Sequence, residues 1–188
     1  MDKAELRREM RHRRRDFVRS LTERARADLA IEASRRIAAR IDADGALASY
    51  VANGSEIDPR PLDTMAYDAG MRVAFPWFRD RHSPMEFHEA EGFETGPFGI
   101  VQPAGGSPLL WPDVAIVPLV AVDRSGNRLG QGAGHYDTAL ARLRKHAKPI
   151  LVIGLAYDVQ IVDSLPADPW DIPLDAVATP NQWIDFHP

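Results

Sequence analysis

The chain contains no cysteine. This absence excludes disulfides, zinc sites built from thiolates and thiol nucleophiles. The sequence also lacks an apolar run of about 18 residues, the length that a membrane-spanning helix needs. The basic N-terminal residues are not followed by the apolar stretch typical of a secretion signal. We therefore expect a cytoplasmic protein with no membrane partner.

Charge is unevenly distributed along the 188 residues. The net charge is -4, yet the first 26 residues contain ten Lys or Arg and only five Asp or Glu. Such a basic segment is one form that a nucleic-acid arm takes. Here Leu6, Met10, Phe17 and Leu21 fall on one helical face, which predicts a helix docked on the body of the protein. We expect no nucleic-acid partner.

Helix and strand signals alternate along the chain. The spacing of Ser20 and Glu23 is that of a capping box, which predicts that a first helix ends near Val18 and a second runs over 21–41. Short apolar runs bounded by Gly, Pro and polar residues predict strands. The expected strands cover residues 46–51, 72–75, 85–88, 113–122, 150–156 and 176–178.

Two more helices and a long loop complete the expected elements. Asp58 followed by Pro59 is typical of a helix N-terminus, and Gly70 stands where such a helix would end. A last helix is expected over 135–146. The stretch 91–112 is rich in Gly and Pro and is expected to be a long irregular loop, which in a compact domain is often functional.

Strands that alternate with helices are typical of an α/β protein. We expect one domain over residues 1–188, with three α/β/α layers and a mostly parallel, Rossmann-like central sheet. The N-terminal helices in 1–42 are expected to pack on this α/β body. Ligands of such sheets bind beyond the carboxyl ends of the strands. We expect the turn at 53–58, the segment 123–137 and the loop 157–173 to meet there.

The segment from Asp123 to Asp137 carries the densest chemical signal. Its glycines at 126, 130, 132 and 134 lie between an apolar strand and a helix, where backbone N–H groups can hold an anion. Arg128 adds a guanidinium fork. The segment matches neither the Walker loop nor the dinucleotide motif Gly-x-Gly-x-x-Gly, whose last position holds His135. It indicates a phosphate site, although glycine content alone also fits a tight connection.

Several short motifs accompany this segment in a specific order. Together they resemble the 5-formyltetrahydrofolate cyclo-ligase family, also called 5,10-methenyltetrahydrofolate synthetases, over nearly the whole chain. The matching parts are Lys3-x-x-Leu6-Arg7, Glu56-Ile57-Asp58, Phe98-Gly99-Ile100 with Pro103, Val117-Pro118, Arg128-Leu129-Gly130-x-Gly132-x-Gly134-x-Tyr136-Asp137, Gly154-Leu155-Ala156 with Gln160, and Asp171-x-Pro173-Leu174-Asp175.

The resemblance implies an enzyme that uses ATP and Mg²⁺ to convert 5-formyltetrahydrofolate to 5,10-methenyltetrahydrofolate, with release of ADP and phosphate. The formyl group on N5 is an amide, and its oxygen is a poor leaving group. Transfer of the γ-phosphoryl group to this oxygen would give an iminophosphate, which N10 attacks before phosphate departs. The implied partners are a reduced folate and ATP, and we expect a monomer or a weak homodimer.

The resemblance also implies roles for individual residues. Those implied to bind ATP are Lys3, Arg7, Arg128, Leu129, Gly130, Gln131, Gly132, Ala133, Gly134, His135 and Tyr136, of which Arg128, His135 and Tyr136 are also implied in catalysis. Those implied to bind the folate are Val51, Glu56, Phe98, Gln131, Gly132, Ala133, Gly134 and His135. The implied Mg²⁺ ligands are Asp137 and Asp171.

The chemistry of these residue types fits the implied roles. One carboxylate, such as Glu56, can accept both parallel donors of a pterin ring. Two carboxylates with water and phosphate oxygens suit Mg²⁺. Each residue alone also has a simpler reading: Lys3 and Arg7 as a solvated helix face, Asp137 as a helix-dipole partner and Phe98 as core.

The sequence departs from the family pattern at two positions. His135 stands where many members have a second tyrosine, and Ala133 where some have lysine or glycine. These departures put the rate, the pH dependence and the substrate in question. Two alternatives stay open: a paralogue that uses the same ATP and Mg²⁺ site on a different amide or carboxylate, and a folate- or nucleotide-binding module without turnover. The retained cations and carboxylates favour an enzyme.

Overall fold

The computed structural model describes residues 2–146 and 148–186. Its helices are α1 (Lys3–Arg19), α2 (Glu23–Ala38), α3 (Arg60–Asp68) and α4 (His135–Arg144), with one 3-10 turn at Asp158–Gln160. Its strands are β1 (Ala46–Ala48), β2 (Arg72–Trp77), β3 (Glu86–Glu89), β4 (Phe93–Thr95), β5 (Val101–Pro103), β6 (Val114–Pro118), β7 (Ala121–Asp123), β8 (Arg128–Leu129), β9 (Leu151–Leu155), β10 (Ile161–Val162), β11 (Ala176–Ala178) and β12 (Trp183–Asp185). Within the described residues, no helix has the length and apolar character needed to cross a membrane.

A seven-stranded sheet forms the centre of the molecule, in the order β12-β11-β9-β6-β1-β2-β3. The five inner strands are mutually parallel, and the edge strands β12 and β3 run antiparallel to their neighbours. The chain moves from β1 to β2 on one side and returns to β6 on the other, so the winding direction reverses between β1 and β6. The predicted mostly parallel sheet is confirmed.

Apolar side chains on both faces of this sheet explain the three layers. Successive strand residues point to opposite faces, so a strand buried on both sides is apolar throughout. In β6, Ile116 packs in a cluster with Ile37 of α2, whereas Val117 packs in another with Leu140 of α4. Full burial of a side chain such as Ile37 contributes about 1.5–3 kcal/mol. The predicted α/β/α layering is confirmed.

The predicted single strand over 113–122 is wrong, because the chain leaves the central sheet after Pro118. Strands β10, β7 and β8 form a separate small sheet. At the break, the Leu119 carbonyl accepts hydrogen bonds from the side chains of Arg14 and Gln160, at 3.1 and 2.7 Å. Helix α1 packs on the small sheet through the buried Met10.

The predicted capping box at Ser20 is also wrong. Ser20 ends α1, and its hydroxyl donates to the Phe17 carbonyl at 2.7 Å. The N-cap of α2 is Thr22, whose hydroxyl accepts the Ala25 N–H. Asp2 forms the capping box of α1 instead. Helix α2 is shorter than predicted, because it ends at Ala38 and not at Ile41.

Three features of the remaining chain differ from expectation. The stretch 91–112 contains the antiparallel hairpin of β4 and β5, so it is not wholly irregular. Strand β12 was not predicted; it pairs with β11 at the sheet edge. At α3, Pro59 is the N-cap and Asp58 accepts the Arg60 N–H at 3.0 Å, so the cap lies one residue later than predicted.

Candidate functional site

A cleft of about 1240 Å³ opens beyond the carboxyl ends of the parallel strands. Its walls include residues 50–56 after β1, Pro118 at the end of β6, and residues 128–138 around the start of α4. The winding direction reverses between β1 and β6, so the loops that follow these strands diverge and leave a crevice. The cleft therefore lies where strand polarity predicts a ligand site.

The glycine-rich segment divides into two parts with different roles. Asp123 to Asn127 form the turn between β7 and β8, and the Asp123 carboxylate accepts the N–H groups of Ser125 and Asn127. Gly126 belongs to this turn, where an added Cβ would lie 2.9 Å from the Leu174 carbonyl oxygen. Gly126 is thus structural and does not line the cleft, although it was read as part of the phosphate segment.

The second part, Gly130 to Gly134, lines the cleft. Gly132 and Gly134 have φ values of 103° and 72°, which favour glycine. Gly134 is the N-cap of α4 and provides no side-chain cap. The first N–H groups of α4 therefore have no side-chain partner from their cap residue, and a helix N-terminus of this kind attracts anions.

Helix α1 presents a row of cations to the same cleft. Lys3, Arg7, Arg11 and Arg14 all line it, at spacings of three or four residues that place them on one side of the helix. The Arg7 guanidinium donates to the Gly130 carbonyl at 3.0 Å. Arg11 donates to both the side chain and the backbone of Gln131 at 2.9 Å. The helix is thereby attached to the glycine segment through its basic face.

Arg128 lies beneath the glycine segment and is buried. One guanidinium nitrogen, Nη2, donates to Asp137 Oδ1 at 2.6 Å. Its Nε is buried without a hydrogen-bond partner in the part of the chain that the structure describes. Burial lowers the pKa of Arg128, against the opposing charge of Asp137. An unsatisfied donor on a buried cation at this position fits a phosphate oxygen as its missing partner.

Asp137 and Asp171, the implied metal ligands, are brought to one wall of the cleft. Asp137 Oδ1 also accepts the N–H of Ile172, the residue after Asp171, at 3.2 Å. Asp171 and Asp168 both accept a 2.6 Å hydrogen bond from Lys3. Burial works against the Lys3 charge, but these two bonds raise its pKa.

Among residues 2–146 and 148–186, no three His, Cys, Asp or Glu form a metal-binding group. A protein-only metal cage is therefore not supported in this range. Mg²⁺ commonly takes one or two carboxylates and completes its shell with water and phosphate. Asp137 and Asp171 fit a site of that kind, which depends on a bound nucleotide.

Glu56 also lines the cleft and is buried. Its Oε2 accepts the Asn53 N–H at 2.9 Å, and its Oε1 accepts the Gln131 amide at 3.0 Å. Arg14 Nη1 lies 3.9 Å from Oε1. Burial, together with the charge of Glu56, raises the pKa of Tyr136, so that phenol stays protonated and can act as a donor.

An aromatic cluster completes the cleft. The rings of Phe78, Phe98 and His135 lie 4.9–5.0 Å apart, centroid to centroid, in tilted or edge-to-face arrangements. Phe98 is 38% exposed, so it is not core. Val51 is exposed at the rim. Trp170 is 70% exposed and also lines the cleft.

Every residue to which the family resemblance assigned a binding or catalytic role lines this one cleft, whereas Gly126 of the predicted phosphate segment does not. Sequence reasoning missed several other lining residues: Arg11, Arg14, Phe78, Asp168 and Trp170. The sequence could have indicated the two arginines, because they continue the spacing of Lys3 and Arg7 along α1. No sequence pattern indicated Phe78 and Trp170, because only the folded chain brings them to the site.

The chain is similar over most of its length to proteins of one family. The model described as the 5-formyltetrahydrofolate cyclo-ligase family matches residues 1–180. The Escherichia coli K12 5-formyltetrahydrofolate cyclo-ligase is 34% identical over 145 residues, which covers 72% of this chain and 78% of that protein. The Mycolicibacterium smegmatis protein of the same name is 33% identical over 150 residues, which covers 72% of this chain and 74% of that protein.

A solved structure agrees with these sequence relatives. The NMR structure of Aquifex aeolicus 5,10-methenyltetrahydrofolate synthetase superposes with a TM-score of 0.81 at 28% identity, and it covers all of this chain and 94% of that one. The resemblance found in the sequence motifs is therefore confirmed by whole-length comparison and by fold. The chain belongs to the 5-formyltetrahydrofolate cyclo-ligase family.

Proposed function

We propose that the protein cyclises 5-formyltetrahydrofolate to 5,10-methenyltetrahydrofolate with ATP and Mg²⁺, and releases ADP and phosphate. Family membership supports the substrate and the reaction type. The observation that supports ATP is the buried Arg128, whose Nε has no hydrogen-bond partner among the described residues, in a cleft that is also lined by the glycine segment and the α1 cations.

The proposed chemistry makes the formyl oxygen a leaving group. The formyl oxygen attacks the γ-phosphorus, the bond to the β-phosphate oxygen breaks, and ADP departs. N10 of the folate then attacks the activated formyl carbon, loses its proton, and phosphate leaves with the former formyl oxygen. Phosphoryl transfer of this kind depends mainly on positioning and on neutralising spread negative charge.

The cleft residues divide into three proposed roles. Lys3, Arg7 and Arg128 neutralise the phosphates, and the backbone from Leu129 to Tyr136 holds their oxygens. In a preformed site such donors cost little reorganisation when charge moves from the leaving oxygen to the transferred group. The charges of Glu56 and Arg128 shift the pKa of the Tyr136 phenol in opposite directions. We place this phenol at the proposed junction of nucleotide and folate.

Asp137 and Asp171 are the proposed Mg²⁺ ligands. Bound Mg²⁺ supplies charge neutralisation for the phosphates. Each carboxylate pairs with a cation of the protein, Arg128 for Asp137 and Lys3 for Asp171. We expect these cations to shift toward phosphate oxygens when the carboxylates take up the metal, which keeps the local charge balanced.

Glu56 is the proposed anchor of the pterin ring, which presents two parallel donors to its carboxylate. The exposed Gln131 side chain, which donates to Glu56, would give way to the ligand. Val51 and Phe98 would contact the folate rings. Positions 131–135 of the glycine segment would lie between folate and phosphates, where His135 packs against Phe98.

The test is a coupled assay with purified protein, 5-formyltetrahydrofolate, Mg²⁺ and ATP, in which methenyl product is followed by absorbance and phosphate by a colorimetric reaction. We expect equal amounts of both products and no product when ATP or Mg²⁺ is omitted. Methenyl product without ATP would exclude the activation step. Phosphate without methenyl product would favour a different amide or carboxylate substrate, and folate binding without either would favour a binding module.

A further inference from the structure

We propose that Arg14 is a positioning residue that holds the Glu56 carboxylate in the orientation needed to bind the pterin. This inference rests on the proposed function, because it assumes that Glu56 receives the folate. Arg14 lies in the middle of α1 and is only 5% exposed. Among the described residues, its guanidinium is the one cation of the α1 row that forms an ion pair with Glu56.

Three contacts fix the Arg14 guanidinium in place. Its Nε donates to the Ser55 hydroxyl at 3.1 Å, and its Nη1 donates to the Leu119 carbonyl at 3.1 Å. The same Nη1 lies 3.9 Å from Glu56 Oε1. One planar group thus joins α1, the turn after β1 and the end of β6, where the winding direction of the sheet reverses. A lysine could not reproduce this fork, because its ammonium is a point charge.

The burial of this cation is costly and needs a compensating partner. Burial lowers the pKa of Arg14, and the charge of Glu56 is the largest effect that opposes this shift. A buried guanidinium is stable only when it is paired and hydrogen-bonded. Glu56 supplies the opposite charge, while Ser55 and Leu119 supply acceptors. Arg14 and Glu56 therefore stabilise each other as a buried pair.

The separation between the two groups is suited to ligand binding. At 3.9 Å the contact is an ion pair and not a hydrogen bond, so Arg14 does not occupy the Glu56 oxygens with its own N–H groups. Asn53 holds Oε2 through a backbone N–H. The remaining direct donor is the exposed Gln131 amide, which can leave. Arg14 thus orients the carboxylate while its oxygens stay available to pterin donors.

A double-mutant cycle separates this positioning role from general support of the fold. The variants are Arg14→Gln, Glu56→Gln and the double variant, and the measurement is the dissociation constant of 5-formyltetrahydrofolate without nucleotide. We expect Arg14→Gln to weaken folate binding by about tenfold to a hundredfold when Glu56 is present, since loss of one partner leaves the other charge of a buried ion pair uncompensated. In the Glu56→Gln background we expect a change of less than about twofold, because nothing is left to position.

Two further measurements keep the cycle decisive. ADP affinity should be unchanged in all variants, since Arg14 has no proposed contact with the nucleotide. Arg14→Lys, which keeps the charge, should restore part of the folate affinity and serves in the cycle if Arg14→Gln does not fold. Equal losses of folate affinity in both Glu56 backgrounds, or no loss in either, would overturn the positioning role. If the unmodified protein binds no 5-formyltetrahydrofolate, the proposed function fails with it.

Discussion

The Asp63 carboxyl shows how burial at one residue sets a pH dependence for the whole fold. Asp63 lies in α3 and is 6% exposed. Burial raises its pKa to about 7, although the Ser49 hydroxyl opposes the shift. The folded pKa therefore exceeds the unfolded one, so the native state binds more protons between the two values. The contribution of this protonated carboxyl to the free energy of unfolding is present below about pH 4 and is lost as the pH rises through about 7.

We expect Asp63→Asn to remove most of this pH dependence. Above about pH 7 the variant should be more stable than the unmodified protein by on the order of 1–3 kcal/mol, because one pKa unit corresponds to about 1.4 kcal/mol. Urea unfolding across this pH range measures the difference. Asp68→Asn, an exposed change on the same helix, is the control and should leave the profile unaltered. An unchanged profile in Asp63→Asn would contradict the assignment.

Asp137 provides the residue-level test of the proposed metal site. We expect Asp137→Asn to lower kcat by about a hundredfold or more, because charge stabilisation in phosphoryl transfer is lost. Folate affinity should change little, since Asp137 has no proposed contact with the folate. Steady-state kinetics with direct folate binding separate the two effects, and the exposed Asp163→Asn is the control. Reduced folate affinity with normal turnover of bound substrate would show that the metal assignment is wrong.

At the scale of elements, the Gly130 to Gly134 segment makes the site possible through its backbone conformation. Gly132 has a φ of 103°, and an added Cβ would lie 3.4 Å from the Arg7 guanidinium. A side chain there would strain the turn and would lie directly against a cation proposed to contact phosphate. The effect should therefore appear in nucleotide affinity as well as in stability.

We expect Gly132→Ala to weaken ATP binding by about tenfold and to lower stability by about 1–2 kcal/mol, the typical cost of a left-handed conformation in an L-residue. Calorimetry with ATP and thermal unfolding measure the two effects. Gly92→Ala is the matched control, since Gly92 has an ordinary φ and open space at its Cβ. Equal effects of the two substitutions would show that the backbone conformation of Gly132 is not needed for nucleotide binding.

The elements that sequence patterns predicted well are those whose signal is local. Strand β11 was predicted with its observed bounds, and Gly70 follows α3 with a φ of 81°. The break after Pro118 was missed because both halves of the run are apolar. That break depends on Arg14 and Gln160, which are remote in sequence and bind the Leu119 carbonyl. The hydrophobic pattern of residues 113–122 therefore gives no indication of the break.

At the scale of the whole molecule, the cleft is assembled from α1, the turn after β1, the glycine segment and the loop before β11. The motif matches and the family resemblance named about half of its lining residues. Their convergence follows from strand polarity and the winding reversal between β1 and β6. Sequence alone did not show that Asp168 shares Lys3 with Asp171, because that contact joins residues 165 positions apart.

The proposed single domain predicts one cooperative unfolding transition. Helix α1 is attached to the body through Met10 in its core cluster and through Lys3, Arg7, Arg11 and Arg14 at the cleft. We expect unfolding followed by circular dichroism to coincide with unfolding followed by tryptophan fluorescence. Nucleotide at about a hundred times its dissociation constant should shift both together, by about 2.7 kcal/mol. Two separate transitions would indicate that the N-terminal helices form their own unit.

The most direct measurement follows the formyl oxygen. 5-Formyltetrahydrofolate labelled with a heavy oxygen isotope in its formyl group is turned over with unlabelled ATP in unlabelled water, and the released phosphate is analysed by mass spectrometry. We expect each phosphate to carry the labelled oxygen, because the γ-phosphoryl group is transferred to that atom before ring closure. Methenyl product accompanied by an equal amount of unlabelled phosphate would contradict the proposed activation of the formyl group.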